Sequence, residues 1–384
     1  MSKLKVPYSY LKMQFGPEER KRILAAIEDV AEEGDFTLGR SVGEFEEKFA
    51  AICGAKYAVG MNSGTAALVA ILEALEIGSG DEVITVPNSF VATAAAVDLV
   101  GAKVVFVDVD DQYQIDVNRI EGAITRRTKA ILPVHLTGCP ADMSAINDIA
   151  EKRNLHVVED AAQAVCAEVD GKRVGHLGIA GEFSFHPLKN LNGWGDAGAV
   201  VTNHKWLADK IAKWRNHGMK NRDEVEFFSY NERMHSTAAA VLNCLVGHAE
   251  DITEKRIANA ALYDKLLLPM SRFVALPPRP KNKKQVYHTY VIRVLDGKRD
   301  DLQKFLLEEK GIDTKVHYPI PIHLQEAARH LGYRHGDFPN CERQSREILT
   351  LPVHQYLTED QIVYVAESIS DFFTSFVATK RNKF

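Results

Sequence analysis

No apolar run in the chain approaches the roughly 20 residues needed to cross a bilayer, and the opening MSKLKVPYSYLKMQFG lacks the apolar core of a secretion signal. A cytoplasmic protein without membrane contact is expected. An excess of basic charge is missing too: 47 Lys and Arg stand against 52 Asp and Glu, a formal net charge of -5, with the cations dispersed. No nucleic-acid partner is expected. Cysteine is scarce, with five residues (Cys53, Cys139, Cys166, Cys244, Cys341) and no C-x-x-C pair, which fits reduced thiols rather than a disulfide framework. His135 with Cys139, and His317 with His323, have no second ligand pair to complete a coordination set, so no metal is expected.

What is present is an ordinary globular composition, 46% hydrophobic and 26% charged, on 384 residues, enough for two domains. Between about residues 55 and 202, runs such as EVITVP, KVVFVDVD, KAILPVHL, LHVVED, GEFSF and GAVVTN read as buried strands. Helical patterns such as TAALVAILEALEIG and MSAINDIAEKRN separate several of them. This alternation predicts an α/β fold with a mostly parallel sheet covered on both faces, whose ligands collect at the carboxyl ends of the strands. Two helices are expected within the first 50 residues. Beyond residue 235 the rhythm changes to one long helix from AAAVLN to KLLL, a PPRPKNKK loop and a strand VYHTYVIRVL. The chain therefore divides into residues 1–235, a large domain with its N-terminal segment, and 236–384, a smaller C-terminal α+β domain.

The stretch GEFSFHPLKNLNGWGDAGAV spells G-x-G-x-x-G at Gly193, Gly195 and Gly198. A dinucleotide site needs a helix after those glycines, whereas AGAVVTN reads as a strand, so the glycines serve a sharp turn beside a bound group.

Four other pieces suit a different cofactor. In MNSGTAAL, Ser63, Gly64 and Thr65 precede an Ala- and Leu-rich helix whose free N–H groups favour a phosphate, although a plain N-cap is the simpler reading of that piece alone. VVEDAAQA ends an apolar strand in Asp160, where a carboxylate could hold a pyridinium nitrogen protonated or merely cap a turn. Phe90 in PNSFVATAAAV lies just past a strand end, able to stack on a flat ring or to pack in the core. SFHPLKN brings a Ser184 hydroxyl and a Lys189 amine among apolar neighbours, and desolvation there would yield a nucleophilic neutral amine. Together they specify pyridoxal 5'-phosphate: a phosphate cup, a ring stacker, an acid for the ring nitrogen and a lysine for the Schiff base.

In linear order, GDFTLGRSVGEFEEKFA, NSGTAAL, GDEVITVPNSFVATAAAV, VVEDAAQA, SFHPLKNLN, WRNHGM, YNERM, HYPIPIHLQE and LPVHQYLTEDQI make nearly the whole chain resemble the DegT/StrS-type family of pyridoxal-phosphate sugar aminotransferases, with the aspartate aminotransferase (type I) fold. The resemblance implies that Lys189 is the catalytic, cofactor-bearing lysine and Ser184 a phosphate ligand. Gly64 and Thr65 complete the phosphate cup, Asp160 meets the ring nitrogen, Gln163 contacts the ring hydroxyl, and Phe90 stacks on the ring. Asn231 in YNERM is similar to the asparagine that reaches the neighbouring subunit's phosphate, which implies an obligate homodimer with a shared site. His317, Tyr318 and His323 are candidates to line a sugar pocket, and His186 either touches substrate or packs.

The implied reaction carries an amino group from L-glutamate to a keto-sugar for glycan or lipopolysaccharide biosynthesis, the acceptor being a nucleotide-linked keto-hexose or, as SFHPLKNLN-x-WGD allows, the aldehyde of an oxidised octulosonate. Three positions depart from the family pattern: Gly193 where a bulkier apolar residue is usual, His235 where an acid is common, and Ala238 where glutamine is common. The alternatives are a sugar dehydratase of the same fold, whose lysine is replaced by histidine, and a non-catalytic sensory or scaffold protein. The retained Lys189 speaks against the first and the complete cofactor set against the second.

Overall fold

The structure is a computed structural model in which residues 4–381 are described. Helices α1 (Pro17–Glu33) and α2 (Arg40–Cys53) lead into strand β1 (Tyr57–Met61) and helix α3 (Gly64–Ala74). The alternation continues through β2 (Glu82–Thr85), α4 (Val91–Leu99), β3 (Lys103–Phe106), α5 (Val117–Ala123), β4 (Thr128–Ile131), α6 (Met143–Arg153) and β5 (His156–Asp160). The short strands β6 (Glu168–Val169) and β7 (Lys172–Arg173) interrupt it before β8 (Ala180–Ser184), β9 (Gly198–Thr202) and α7 (Lys205–Trp214).

These strands build one seven-stranded sheet in the order β1-β9-β8-β5-β4-β2-β3. Five neighbours, β3, β2, β4, β5 and β8, run parallel, and β9 is antiparallel to both β8 and β1. The expected α/β fold with a mostly parallel sheet is what the chain adopts. Strands β2 and β9 are buried along their whole length because helices cover both faces. Because β2, β5 and β8 all run parallel in this sheet, the chain leaves all three at the same carboxyl edge, so residues following those strands converge.

The second half begins with α8 (Ser236–Leu245) and α9 (Ala249–Leu267). The sequence pattern predicted one continuous helix here; a 3-10 turn at Val246–His248 breaks it, with Gly247 at its centre. After β10 (Val274–Ala275), β11 (Lys283–Lys284) and β12 (Tyr290–Val294) come α10 (Arg299–Glu308), α11 (Pro339–Glu347), β13 (Ile348–Leu351) and α12 (Glu359–Arg381). Strands β10, β12 and β13 form an antiparallel sheet whose core includes Tyr263, Tyr290, Leu302 and Ile362. The expected strand at 286–295 is shorter than its apolar pattern, because His288 and Thr289 turn away to line a cleft against the large sheet.

Candidate active site

The cleft at the carboxyl edge of the large sheet has a volume of about 330 Å³ and is walled by both halves of the chain. One end is built by a helix start. Ser63 caps α3, its Oγ accepting from the Ala66 amide at 3.1 Å, while Gly64 and Thr65 carry first-turn amides that no helical carbonyl can satisfy. Ser184, the last residue of β8, lies opposite. Gly198 stands between them, pairing with Met61 on one side and Ser184 on the other. A Cβ on Gly198 would sit 2.4 Å from the Ser63 carbonyl carbon, so glycine alone lets the turn and Ser184 share one cup. Gly64 is under similar constraint, since a Cβ there would stand 2.7 Å from Glu182 Oε2. The G-x-G-x-x-G stretch thus ends in a strand, as the sequence indicated, and its last glycine serves close packing.

Asp160 ends β5 and is buried. Its Oδ2 accepts from the Thr93 hydroxyl at 2.6 Å, and its Oδ1 accepts from the Ala162 amide at 3.3 Å. Phe90, which caps α4, remains 54% exposed and turns its ring toward the cleft, 6.0 Å from that of Tyr318. An aromatic face this open has room for a flat partner. Gln163 also lines the cleft, its Oε1 accepting from the Thr137 amide at 2.7 Å.

Lys189 lies in the turn between β8 and β9. Its amide donates to the His186 carbonyl at 2.8 Å, and its carbonyl accepts from the Tyr10 hydroxyl at 2.9 Å. Asn190 beside it donates to the Val286 carbonyl at 3.1 Å, and Asn192 to the Pro187 carbonyl at 2.6 Å. Every turn of this segment is therefore tied down. Burial pushes the Lys189 ammonium below its ordinary range, opposed by the Glu182 and Asp160 carboxyls. The same desolvation, reinforced by the Lys189 charge, holds His288 well below its usual value and brings His317 down to about 4, so both imidazoles are neutral near pH 7. Arg256 closes the far wall, buried, donating to the Tyr287 and His288 carbonyls at 3.1 and 3.2 Å with its guanidinium 5.4 Å above the Tyr10 ring.

The cleft thus brings together Gly64, Thr65, Phe90, Asp160, Gln163, Ser184, His186, Lys189, His317 and Tyr318 from the sequence-predicted set. Two of that set lie elsewhere. His323 is buried outside the cleft, 3.1 Å from Glu342 Oε1 and edge-on to Phe338, which makes it a packing residue. Asn231 is exposed on a bridge to Asn216, beside Tyr230. Of the departures, Gly193 is buried with ordinary contacts around it, His235 caps α8 by its backbone, and Ala238 packs on the core.

Several cleft residues escaped the sequence reading: Tyr8, Tyr10, Glu182, Arg256, His288 and His354. All but Glu182 arrive from distant segments, and no local pattern marks them. Glu182, inside GEFSF, could have been noticed as an acid at a buried strand position.

With this geometry in hand, the comparisons are specific. The chain belongs to the DegT/DnrJ/EryC1/StrS aminotransferase family, which matches residues 17–370. A protein of Geobacillus stearothermophilus described as a pleiotropic regulatory protein is 41% identical over 97% of this chain and 100% of its own. The dTDP-3-amino-3,4,6-trideoxy-alpha-D-glucose transaminase of Streptomyces venezuelae is 38% identical over 96% of each chain. The structure of DesV from S. venezuelae, solved with a ketimine intermediate, superposes with a TM-score of 0.92 at 38% identity, covering 97% of this chain and 99% of that one. The protein is accordingly a sugar aminotransferase dependent on pyridoxal phosphate. The cleft suits that group: free helix-start amides for a phosphate, a buried carboxylate held by a hydroxyl for a ring nitrogen, and a desolvated amine for an aldehyde.

Proposed function

We propose that the protein moves the amino group of L-glutamate onto the ketone of a nucleotide-linked hexose, in the cytoplasm, for cell-surface glycan or lipopolysaccharide assembly. The observation that carries this reading is the placement of Lys189 and Asp160 in one cleft with the Ser63–Thr65 helix start and Ser184. Transaminases of nucleotide-linked 3-keto sugars among the relatives support the acceptor class.

In this reading Gly64, Thr65 and Ser184 hold the phosphate, Asp160 keeps the ring nitrogen protonated, Gln163 meets the ring hydroxyl, and Phe90 covers the ring face. Pyridoxal phosphate supplies an aldehyde that takes up the amino group and a ring that accepts an electron pair. The Lys189 amine, free once the donor is bound, would take the proton from the donor Cα and pass it to C4′ of the cofactor, and would carry a proton the opposite way, from C4′ to the sugar carbon, in the second half-reaction. Neutral His317 and Tyr318, with His186, face the sugar, and neutrality lets them donate and accept hydrogen bonds to hydroxyls.

Asn231 completes the site of a second subunit in a homodimer, and the fully exposed Phe228 with half-exposed Tyr230 beside it gives that arm an apolar surface to bury. We place the division of the chain after α8 rather than at residue 235, because Ala239, Val241 and Leu242 of α8 pack with Phe183 and Val201 of the large sheet, while the C-terminal core takes up the chain from α9. Single-turnover reaction of the aminated enzyme against a panel of keto-sugars tests the proposal. Amination of a nucleotide-linked ketone is expected; reaction with the oxidised octulosonate instead would move the acceptor to an aldehyde. A colourless protein indifferent to glutamate would return the chain to a regulatory role.

A further inference from the structure

Two carboxyl groups lie side by side in the cleft, and the reaction above uses one. Asp160 and Glu182 are register partners on the parallel strands β5 and β8, and both are buried, at 5% and 1% exposure. Paired residues on adjacent strands face the same side about 5 Å apart. Two carboxyls confined to one dry site do not both ionise, and one keeps its proton.

Donors decide which. Asp160 receives the Thr93 hydroxyl and the Ala162 amide, and Thr93 is fed by Ser89 at 2.7 Å. Glu182 Oε2 is buried with no hydrogen-bond partner, so a negative charge there has no side-chain donor while a proton there has Asp160 as acceptor. The remaining groups facing Glu182 are the Ala162 amide, which it shares with Asp160, and Lys189, Ser184 and the α3 start at Gly64. Lys189 serves Asp160 as well, and the α3 start is the place proposed for the phosphate. Burial first, then the Asp160 charge, hold the Glu182 carboxyl well above the usual carboxylate range.

We infer that Glu182 is a positioning residue for Asp160: a neutral carboxylic acid that donates to the Asp160 carboxylate, shares it with the ring nitrogen, and keeps this end of the cleft at one negative charge. The inference rests on the reading of Asp160 as the ring-nitrogen partner. Its consequence is a cofactor pocket that loosens when Glu182 ionises.

The test titrates pyridoxal phosphate into the full-length, cofactor-free chain as wild type, Glu182→Gln, Glu182→Ala and Asp160→Asn, from about pH 6 to about pH 10. Glu182→Gln keeps a donor and cannot ionise. Its affinity relative to wild type should be near unity at the acid end and rise about tenfold or more at the alkaline end. Glu182→Ala, which loses the donor, should bind more weakly at every pH. Wild-type and Gln curves that superpose throughout would overturn the inference, as would a Gln variant as weak as Ala.

Denaturation of the same cofactor-free proteins reads the proton directly. An acid whose folded pKa is raised contributes stability that is full below the unfolded value of about 4.3 and lost as pH rises through the folded one. The stability advantage of Glu182→Gln over wild type should therefore widen with pH, and a constant gap counts against the proposal. Asp160→Asn separates the two levels. If that variant keeps wild-type affinity and absorption spectrum, the reading of Asp160 fails; if it does not while the Glu182 curves superpose, only the role of Glu182 fails.

Discussion

Thr93 donates its hydroxyl to Asp160 at 2.6 Å, so the carboxylate at the end of β5 is aimed by a helix that follows a different strand. Replacing Thr93 by Val keeps the shape and removes the hydrogen. A hydrogen bond to a charged group contributes roughly 1.5 kcal/mol or more, so Thr93→Val should bind pyridoxal phosphate about tenfold more weakly. Equilibrium dialysis against the cofactor checks this, and an unchanged affinity would leave Asp160 oriented by its own strand.

Lys189→Ala should abolish turnover while the chain folds normally, since the side chain faces the cleft rather than the core. The pH dependence of cofactor capture is a finer measure. Because burial lowers the Lys189 ammonium pKa, the neutral amine is available at lower pH than in a free lysine. Stopped-flow capture of pyridoxal phosphate should accelerate with pH and level off below the ordinary lysine value of about 10.4; a rise that continues through that value would contradict the shift.

Beneath the site, Glu159 and His135 form a fully buried pair at 3.0 Å. Glu159 also accepts from the Gly175 and Gly178 amides at 2.7 and 2.8 Å, and His135 Nδ1 accepts from the Ala141 amide at 3.1 Å. Glu159→Ala strands all three of its donors. Urea denaturation should show a loss of about 3–5 kcal/mol, the usual result of breaking a buried pair from one side.

His323 and His317 offer a contrast within one short segment. His323→Ala should lower stability by about 1–3 kcal/mol, as a buried hydrogen-bonding partner of Glu342 does when removed, and leave kcat unchanged. His317→Ala should instead change kcat/KM for the sugar with little effect on the melting temperature. Steady-state kinetics and thermal melts on both variants distinguish the two roles.

The proposed sharing of the site between subunits is tested by a mixing experiment. Lys189→Ala and Asn231→Ala homodimers should each be nearly inactive, and random exchange of subunits should restore about a quarter of wild-type activity, because half the dimers are mixed and each carries one intact site. Activity that stays at the level of the parents after exchange would place Asn231 outside the neighbour's site.

Much of this protein was legible in its sequence where the signal was local. The strands from β2 to β5, β8 and β9 announced themselves because each carries a short buried run rich in Val, Ile, Ala or Phe. The strand YAVGM escaped, being short and carrying a glycine, and it joins the sheet only by pairing with a strand that lies about 140 residues later in the chain, a connection no local pattern encodes. At the site, Asp160 and Ser63 sit at element ends and Lys189 in the turn after β8, and all three could be placed by motif and strand order. Arg256, His288 and Tyr10 depend on the C-terminal half folding back, and His323 was misplaced because HYPIPIHLQE gives no sign of where its chain turns inward.

Gly198 pairs with Met61 and Ser184 at once, so the spacing between the α3 start and Ser184, the cup proposed for the phosphate, is copied from the hydrogen-bond ladder of the sheet. A slip of one residue between β8 and β9 would carry Ser184 to the opposite face and uncouple it from the α3 start. The sheet therefore acts as a ruler: its register, rather than the loops around it, sets the width of the proposed cup.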